Sequence, residues 1–180
     1  MPAHNLAVAA IFNKIADLLE IEGANAFRIR AYRNAARIVS RLSRDVSEMI
    51  QSGEDPADLP GIGKDLSGKI HEIIETGYST QLEELENRIP PELTLLMKLE
   101  GLGPKRIKAL YQNLSISRLQ ELKIAARKGR IRKLQGFGKK TENSILEKLD
   151  SLEKSGEAQI PSVDAETCSV PPKKDPKKRK

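Results

Sequence analysis

Three short phrases in the sequence combine backbone hydrogen-bond donors with positive charge, which is a chemistry suited to binding phosphate. LPGIG occupies residues 59–63, LEGLG residues 99–103 and LQGFG residues 134–138. A pair of glycines between two helices permits a tight hairpin, and the first N–H groups of the second helix have no partner within that helix. These N–H groups lie at the positive end of the helix dipole and form an anion site. Basic residues follow every phrase. The predicted phosphate-binding residues are Gly61, Ile62, Gly63 and Lys64, then Gly101, Leu102, Gly103, Lys105 and Arg106, then Gly136, Phe137, Gly138, Lys139 and Lys140.

The residues that flank the three phrases also repeat. A leucine stands two positions before the first glycine each time, and apolar residues stand nine and thirteen positions after it, as helical spacing requires. One Gly-X-Gly is often only a turn, but three with matched flanks favour helix-hairpin-helix DNA binding. The alternative is a helical repeat that uses glycine only for packing. Backbone contacts carry no sequence information, so the expected binding is sequence-independent and weakens with salt.

A second basic feature lies on one face of a helix predicted over residues 26–42. Its arginines fall within an arc of about 80° at 100° per residue. They are Arg30, Arg33, Arg37, Arg41 and Arg44, the last of which stands two residues after the predicted end of the helix. Such a stripe binds phosphates, or it is a solvated face whose arginines pair with acids elsewhere. Both interpretations remain open at this point.

The elements that must position these residues read as helices throughout. The chain has 180 residues, 38% of them hydrophobic and 31% charged, with no Trp. This composition is typical of a folded protein with a core of aliphatic side chains. We predict an all-α fold of tandem helix-hairpin-helix repeats in two small helical subdomains, residues 1–78 and 79–153, followed by a disordered basic tail, 154–180. The predicted helices cover residues 5–21, 26–42, 45–52, 64–76, 79–88, 92–99, 104–113, 117–127, 131–134 and 139–153.

Several classes of protein are disfavoured by what the sequence lacks. It has no apolar run of about 18 residues and no secretory signal pattern, so we expect no membrane contact and no secretion. The single Cys168 supports neither an internal disulfide nor a zinc site. Residues 173–180 carry +5 of the net +6. This basic segment reads as a DNA anchor in a bacterial protein or as a nuclear localisation signal in a eukaryotic one. The expected location is accordingly the cytoplasm, with the nucleoid, or the nucleus.

Longer stretches of the sequence resemble a known family. NAFRIRAYRNAARIV and DLPGIGKDLSGKIHEIIETG resemble the N-terminal lyase domain of X-family DNA polymerases, and LEGLGPKRIKALYQ resembles the fingers region that follows it. GRIRKLQGFGKKTENSIL is similar to a third hairpin of the bacterial and archaeal members. The resemblance covers residues 5–153 in order. The palm, with its three metal-binding aspartates, has no counterpart after residue 153, and two histidines cannot build the phosphoesterase domain of many bacterial members. We therefore expect no nucleotidyl transfer from this chain alone.

The resemblance also implies a lyase activity. In the family a lysine amine attacks the aldehyde of a 5′ deoxyribose phosphate, forms a Schiff base and allows β-elimination; the corresponding residue is Lys69. Arg28 falls on a phosphate-binding position and Tyr32 on the pocket tyrosine, whereas Phe27 replaces a histidine. Asp65 stands where polymerase beta has a base, so we expect it to hold the lysine in its charged form and to repel a 5′ phosphate. The alternative is that Lys69 is a surface lysine near phosphates.

The sequence leads to three alternative hypotheses about function. The first is a DNA-binding protein of repair that recognises gapped, nicked or branched DNA, with a separate polymerase or nuclease as a candidate partner. The second is a small 5′-deoxyribose-phosphate or AP lyase. The third, a scaffold that has lost DNA binding, is disfavoured by the bases after every hairpin. No cofactor is expected, although the resemblance implies that backbone carbonyls of the hairpins can hold Na⁺ or K⁺.

Overall fold

The computed structural model describes residues 3–154, in which turns and short loops join helices and no strand occurs. The helices are α1 Ala3–Glu22, α2 Ala26–Arg41, α3 Val46–Gln51, α4 Lys64–Thr76, α5 Thr80–Arg88, α6 Pro91–Leu96, α7 Pro104–Leu114, α8 Leu119–Arg127 and α9 Lys139–Lys154, with 3-10 helices at Pro56–Asp58 and Ile131–Lys133. The predicted all-α class is confirmed. The predicted tail lies outside the described residues, apart from Lys154 at the end of α9.

Helix α1 is the central element of the core. Buried apolar residues run along it from Val8 to Ile21, because it contacts α2, α4, α5 and α7. Phe12 of α1 meets Tyr32 of α2 edge to face, with ring centroids 5.5 Å apart. Since α5 and α7 follow residue 79, the core that begins in the first half of the chain continues into the second.

The C-terminal helices pack as a smaller group on this core. Helix α8 contacts both α9 and the 3-10 helix Ile131–Lys133, and α9 contacts that 3-10 helix as well. Leu122, Ile131, Ile145 and Leu149 are buried where these elements meet. The third hairpin is thereby fixed between Ile131–Lys133 and α9.

The helix boundaries differ from the predicted ones in three places. The helix predicted over 92–99 ends at Leu96 and continues as turns, and the predicted helix at 131–134 is a single 3-10 turn. Helix α2 ends at Arg41, so Arg44 lies in the loop after it rather than on the helix. None of the helices in residues 3–154 has the length and apolar character needed to cross a membrane.

Candidate nucleic-acid interface

The three glycine phrases form hairpins of the same geometry. In each, the residue between the glycines donates its N–H to the carbonyl of the leucine two positions before the first glycine, over 2.9–3.1 Å. That middle residue is buried in all three hairpins, as Ile62, Leu102 and Phe137. The first glycine has a positive φ, between +85° and +92°, which residues with a Cβ rarely adopt. The first glycine is therefore required by the turn itself.

The second glycine of each hairpin is not required by the fold. Gly63 and Gly103 are the N-caps of α4 and α7, with φ of −89° and −72°, which any residue adopts. A Cβ added at Gly63, Gly103 or Gly138 would meet nothing within 4 Å. No side chain caps α4 or α7. The surface at the second glycine therefore stays open to close approach from outside the chain.

The basic residues directly after the hairpins have no acidic partners among the described residues. Lys64, Lys105, Arg106, Lys139 and Lys140 form no ion pair with any residue of 3–154. Unpaired cations next to open helix N-termini favour anion binding.

The first hairpin differs from the other two in its charge. Asp65 stands four positions after Gly61, where the second hairpin has Lys105 and the third has Lys140. This carboxylate offsets the charge of Lys64. Electrostatic attraction for phosphate is consequently weaker at the first hairpin.

Arg106 connects the second hairpin to the third. Its Nη1 donates to the carbonyl of Gly101 over 2.6 Å, and its guanidinium lies 5.6 Å from the centroid of the Phe137 ring. The Arg106 guanidinium thus already occupies the carbonyl of Gly101, which is one of the hairpin carbonyls that the resemblance implied as ligands of Na⁺ or K⁺. The second hairpin does not fit an additional cation at that oxygen. Residues 3–154 also contain no group of three or more His, Cys, Asp or Glu side chains that could hold a metal ion.

The arginines of α2 divide into paired and unpaired groups. Arg33 pairs with Asp17 and Glu20 of α1 over 3.0 and 2.9 Å, and burial raises the pKa of Asp17 although this guanidinium opposes the shift. Arg44 pairs with Glu54. The remaining arginines of the stripe have no acidic partner within the described residues, and they are Arg30, Arg37 and Arg41. Arg33 and Arg44 thus pair with acids, as the second interpretation expects, and phosphate binding stays a prediction for the unpaired arginines.

A shallow cavity joins this arginine face to the first hairpin. It is lined by Phe27, Arg30, Arg37 and Gly61, among others. The backbone of Gly61 approaches α2 closely, because a Cβ there would lie 2.8 Å from Nδ2 of Asn34. Helix α2 and the first hairpin thus form one basic surface. The Phe27 ring is exposed on this surface and stacks with the Arg30 guanidinium at 4.8 Å.

The predicted lyase residues come together beside α4. The side chain of Lys69 is 20% exposed, and its Nζ contacts Oδ1 of Asp65 over 2.8 Å. The Tyr32 hydroxyl is buried without a hydrogen-bond partner. Burial raises the pKa of Tyr32, and the charges of Lys69 and Arg28 act in the opposite direction. Arg28 itself donates to Oε1 of Gln81 over 2.6 Å. The amine of Lys69 is therefore partly enclosed and lies near a buried hydroxyl that has no hydrogen-bond partner. The carboxylate of Asp65 offsets the charge of this amine.

Two acidic residues that support the hairpins were not predicted from the sequence. Asp55 caps the 3-10 helix before the first hairpin. It also accepts a hydrogen bond of 2.6 Å from the Ser67 hydroxyl of α4, so it links the elements on both sides of that hairpin. Glu142 is fully buried in the first turn of α9 and accepts from the backbone N–H and Nε of Arg132. The Asp-Pro pair is a known helix-start signal that could have revealed Asp55. No comparable sequence signal identifies Glu142, which is an acid near the start of a helix that begins with two lysines.

Comparison with known proteins supports this description of the hairpins. The helix-hairpin-helix domain family matches residues 3–79, and the family described as a SAM-like helix-hairpin-helix tandem matches residues 93–151. The chain is 37% identical to DNA polymerase/3'-5' exonuclease PolX of Bacillus subtilis (strain 168) over 154 residues, which is 86% of this chain and 26% of the relative. It is 22% identical to DNA polymerase lambda of Rattus norvegicus over 163 residues, 91% of this chain and 27% of that relative. Over its matched residues the chain is homologous to the N-terminal part of these X-family DNA polymerases.

The matched ranges divide the functional residues between them. The range 3–79 contains α2, the first hairpin and Lys69, and the range 93–151 contains the second and third hairpins. The chain spans about a quarter of the length of the curated X-family relatives it matches. The helix-hairpin-helix assignment and the relation to X-family polymerases are therefore confirmed, and both support DNA binding.

Proposed function

We propose that this protein binds gapped, nicked or branched DNA through its sugar-phosphate backbone, independently of sequence, and acts in DNA repair. The observation that carries the proposal is the second glycine of each hairpin. It leaves an unfilled surface at a helix N-terminus, and unpaired cations stand beside it in the second and third hairpins. Neither φ nor packing within the chain accounts for a glycine at these positions. Close approach of a phosphate to backbone N–H groups does account for it.

Several hairpins on one rigid fold suit DNA whose backbone changes direction. Each hairpin binds phosphates of one strand, and the basic face of α2 offers further contacts between hairpins. A nick, gap or branch brings backbone segments of different direction within reach of one protein. The two relatives are named as DNA polymerases, one of them also as an exonuclease, which supports an assignment to DNA metabolism and a separate polymerase or nuclease as a partner.

The test is a comparison of DNA structures at constant base composition. Fluorescence anisotropy would measure Kd for intact, nicked, gapped and branched duplexes, each in two unrelated sequences. The proposal predicts equal Kd for the two sequences and tighter binding to interrupted or branched DNA than to intact duplex. Equal Kd for all four structures would refute the structural preference, and a Kd that changes with sequence would refute backbone recognition.

A second function, lyase activity, is favoured by the surroundings of Lys69. The amine is mostly shielded from solvent, and the Tyr32 hydroxyl beside it is buried, so it must be uncovered before it can bind an oxygen of a sugar or phosphate. In the reaction the neutral amine adds to the aldehyde carbon and water leaves to give the imine; loss of the adjacent C2′ proton then expels the 3′ phosphate. Asp65 contacts the Lys69 amine over 2.8 Å, so DNA must displace this carboxylate before the amine can reach an aldehyde.

Borohydride trapping tests the lyase function directly. The substrate is gapped DNA with a 5′ deoxyribose phosphate, and Lys69→Ala is compared with Lys64→Ala, which removes an exposed lysine of the same helix. A covalent adduct with the wild type and with Lys64→Ala, but not with Lys69→Ala, would support Lys69 as nucleophile. Binding of this DNA by the wild type without any adduct would leave only the DNA-binding function.

A further inference from the structure

Four side chains connect the second hairpin to the third through two separate contacts. Lys148 of α9 donates from Nζ to the backbone carbonyl of Glu100 over 3.0 Å and to its carboxylate over 2.8 Å. Arg106 of α7 donates to the Gly101 carbonyl over 2.6 Å, and its guanidinium lies 5.6 Å from the centroid of the Phe137 ring. We call Glu100, Arg106, Phe137 and Lys148 the inter-hairpin bridge.

The inter-hairpin bridge is not part of the repeated hairpin pattern. When the three hairpins are aligned on their first glycine, each bridge position holds a different residue type in the other two repeats. The corresponding residues are Pro60 and Gln135 for Glu100, Leu66 and Thr141 for Arg106, Ile62 and Leu102 for Phe137, and Ile73 and Asn113 for Lys148. The geometry of a single hairpin therefore does not require these four side chains, whereas the contacts between the two hairpins use all of them.

The two contacts are individually weak but lie far apart along α9. The Glu100 side chain is 89% exposed, so solvent screens its pair with Lys148. The hydrogen bond and the charge of Lys148 lower the pKa of Glu100, which keeps this carboxylate charged at neutral pH. Phe137 stands just before α9, and Lys148 stands about 14 Å further along the helix axis at 1.5 Å per residue. Contacts at two separated points restrict both the distance and the relative rotation of the two hairpins.

We infer that the inter-hairpin bridge fixes the spacing of the second and third hairpins, so that both bind phosphates of one DNA molecule as a single unit; the inference rests on the proposed DNA-binding function. Two sites held in a fixed geometry bind more tightly than two sites that move independently. Binding at one site raises the effective concentration of DNA at the other, and less has to be ordered on binding. The bridge residues are therefore positioning residues for DNA binding.

Glu100 distinguishes this inference from simple electrostatics. Its carboxylate is next to the second hairpin, so charge alone predicts that its removal tightens the binding of DNA. The inter-hairpin bridge predicts the reverse, because Glu100→Gln loses the charge that holds Lys148. Arg106 does not allow this distinction, since both arguments predict weaker binding without its positive charge.

The test is fluorescence anisotropy with gapped DNA at one salt concentration. Glu100→Gln is compared with Glu147→Gln, which removes an exposed acid of α9 that forms no ion pair within residues 3–154. Glu100→Gln should raise Kd about threefold, as expected for the loss of an exposed ion pair. Glu147→Gln should not raise Kd.

A double-mutant cycle assigns the effect to the contact between Glu100 and Lys148. Lys148→Gln alone should also raise Kd about threefold. The double variant should raise it about threefold rather than about ninefold, because the same contact is lost in all three variants. Additive effects would show that the two residues act separately and would refute the bridge.

Removal of the cations of the third hairpin separates positioning from a local structural role. With Lys139 and Lys140 both replaced by Gln, the third hairpin contributes little to binding, and its spacing from the second hairpin loses its importance. In this background Glu100→Gln should no longer raise Kd. If Glu100 only stabilised the second hairpin, the threefold rise would remain. Thermal unfolding would verify that each variant is folded at the assay temperature.

Two further results would overturn the inference. One is unchanged or tighter DNA binding by Glu100→Gln in the otherwise native chain, which would leave only the effect of charge. The other is a rise in Kd that persists when Lys139 and Lys140 are replaced. Failure of the wild type to bind gapped DNA at all would instead refute the proposed DNA-binding function, and the inference together with it.

Discussion

Substituting the two glycines of one hairpin separately should separate stability from DNA binding. In the second hairpin Gly101 has a φ of +89°, and Gly103 has a φ of −72° with open space around its Cβ position. A side chain in the left-handed region costs about 1–2 kcal/mol, so Gly101→Ala should lower the free energy of unfolding by about that amount. Gly103→Ala loses a favourable N-cap but restricts the unfolded chain, and its net effect should stay within about 0.5 kcal/mol.

DNA binding should be weakened more by Gly103→Ala than by Gly101→Ala, which is the reverse of their effects on the free energy of unfolding. A methyl group at position 103 projects into the space that a phosphate must enter to reach the N–H of Lys105 at the start of α7. Loss of one hydrogen bond to a charged phosphate corresponds to about 1.5 kcal/mol, or roughly a tenfold rise in Kd. Gly101→Ala keeps that surface and should bind nearly normally at a temperature where it is folded.

Thermal unfolding and anisotropy on gapped DNA, measured for both variants, check this prediction. The first hairpin allows a stricter test of the effect on stability. A Cβ at Gly61 would lie 2.8 Å from Asn34 and 2.9 Å from Ile38, in addition to having a positive φ. Gly61→Ala should therefore be less stable than Gly101→Ala. Normal DNA affinity in Gly103→Ala, with the protein fully folded, would refute the assignment of the second glycine to phosphate binding.

The other predictions concern acidic residues near the hairpins. Asp65→Asn removes the carboxylate that pairs with Lys69 and should tighten DNA binding about two- to fivefold in anisotropy; unchanged or weaker binding would contradict its repulsive role. Glu142→Ala breaks a buried contact with a partly exposed Arg132 and should cost about 2 kcal/mol in urea unfolding, whereas a loss under about 0.5 kcal/mol would show that the pair does not hold the third hairpin. Hydrogen bonds from a hydroxyl and a backbone N–H lower the pKa of Asp55, so its stabilisation should be complete above about pH 4 and lost as pH falls through the depressed value. The difference in melting temperature between wild type and Asp55→Asn should therefore shrink from pH 7 to pH 3, and a constant difference would contradict this.

The fold was predictable because its signals are local. Helical spacing of apolar residues and a repeated glycine pair identify helices and hairpins without knowledge of distant contacts. Ile70, Leu110 and Ile145, nine positions after the first glycine of each hairpin, are all buried as their matched positions implied. The boundaries that differ, at residues 92–99 and 131–134, lie in short segments where one turn of 3-10 or α geometry depends on packing.

The pairing of charges was only partly predictable, because it depends on tertiary contacts. The contact of Asp65 with Lys69 has the i, i+4 spacing of helix neighbours and is readable from the sequence. The partners of Arg33 on α1 are set by the packing of α1 on α2, and no periodicity within α2 identifies them. The contact between Arg106 and Phe137 joins residues of the second and third hairpins that are thirty-one positions apart in the chain. Arg30 of α2 and Lys105 of α7 likewise come to line one cleft only when the chain folds, because they are far apart in the sequence.

The most direct test of backbone recognition by the hairpins is the salt dependence of Kd for gapped DNA. For three hairpins that each neutralise at least one phosphate, the slope of log Kobs against log salt should be about −3 or steeper. Replacing both Lys139 and Lys140 by Gln should make that slope less negative by about one to two, with the same result in two unrelated DNA sequences. A slope near zero, or one that the double substitution leaves unchanged, would contradict phosphate binding by the hairpins.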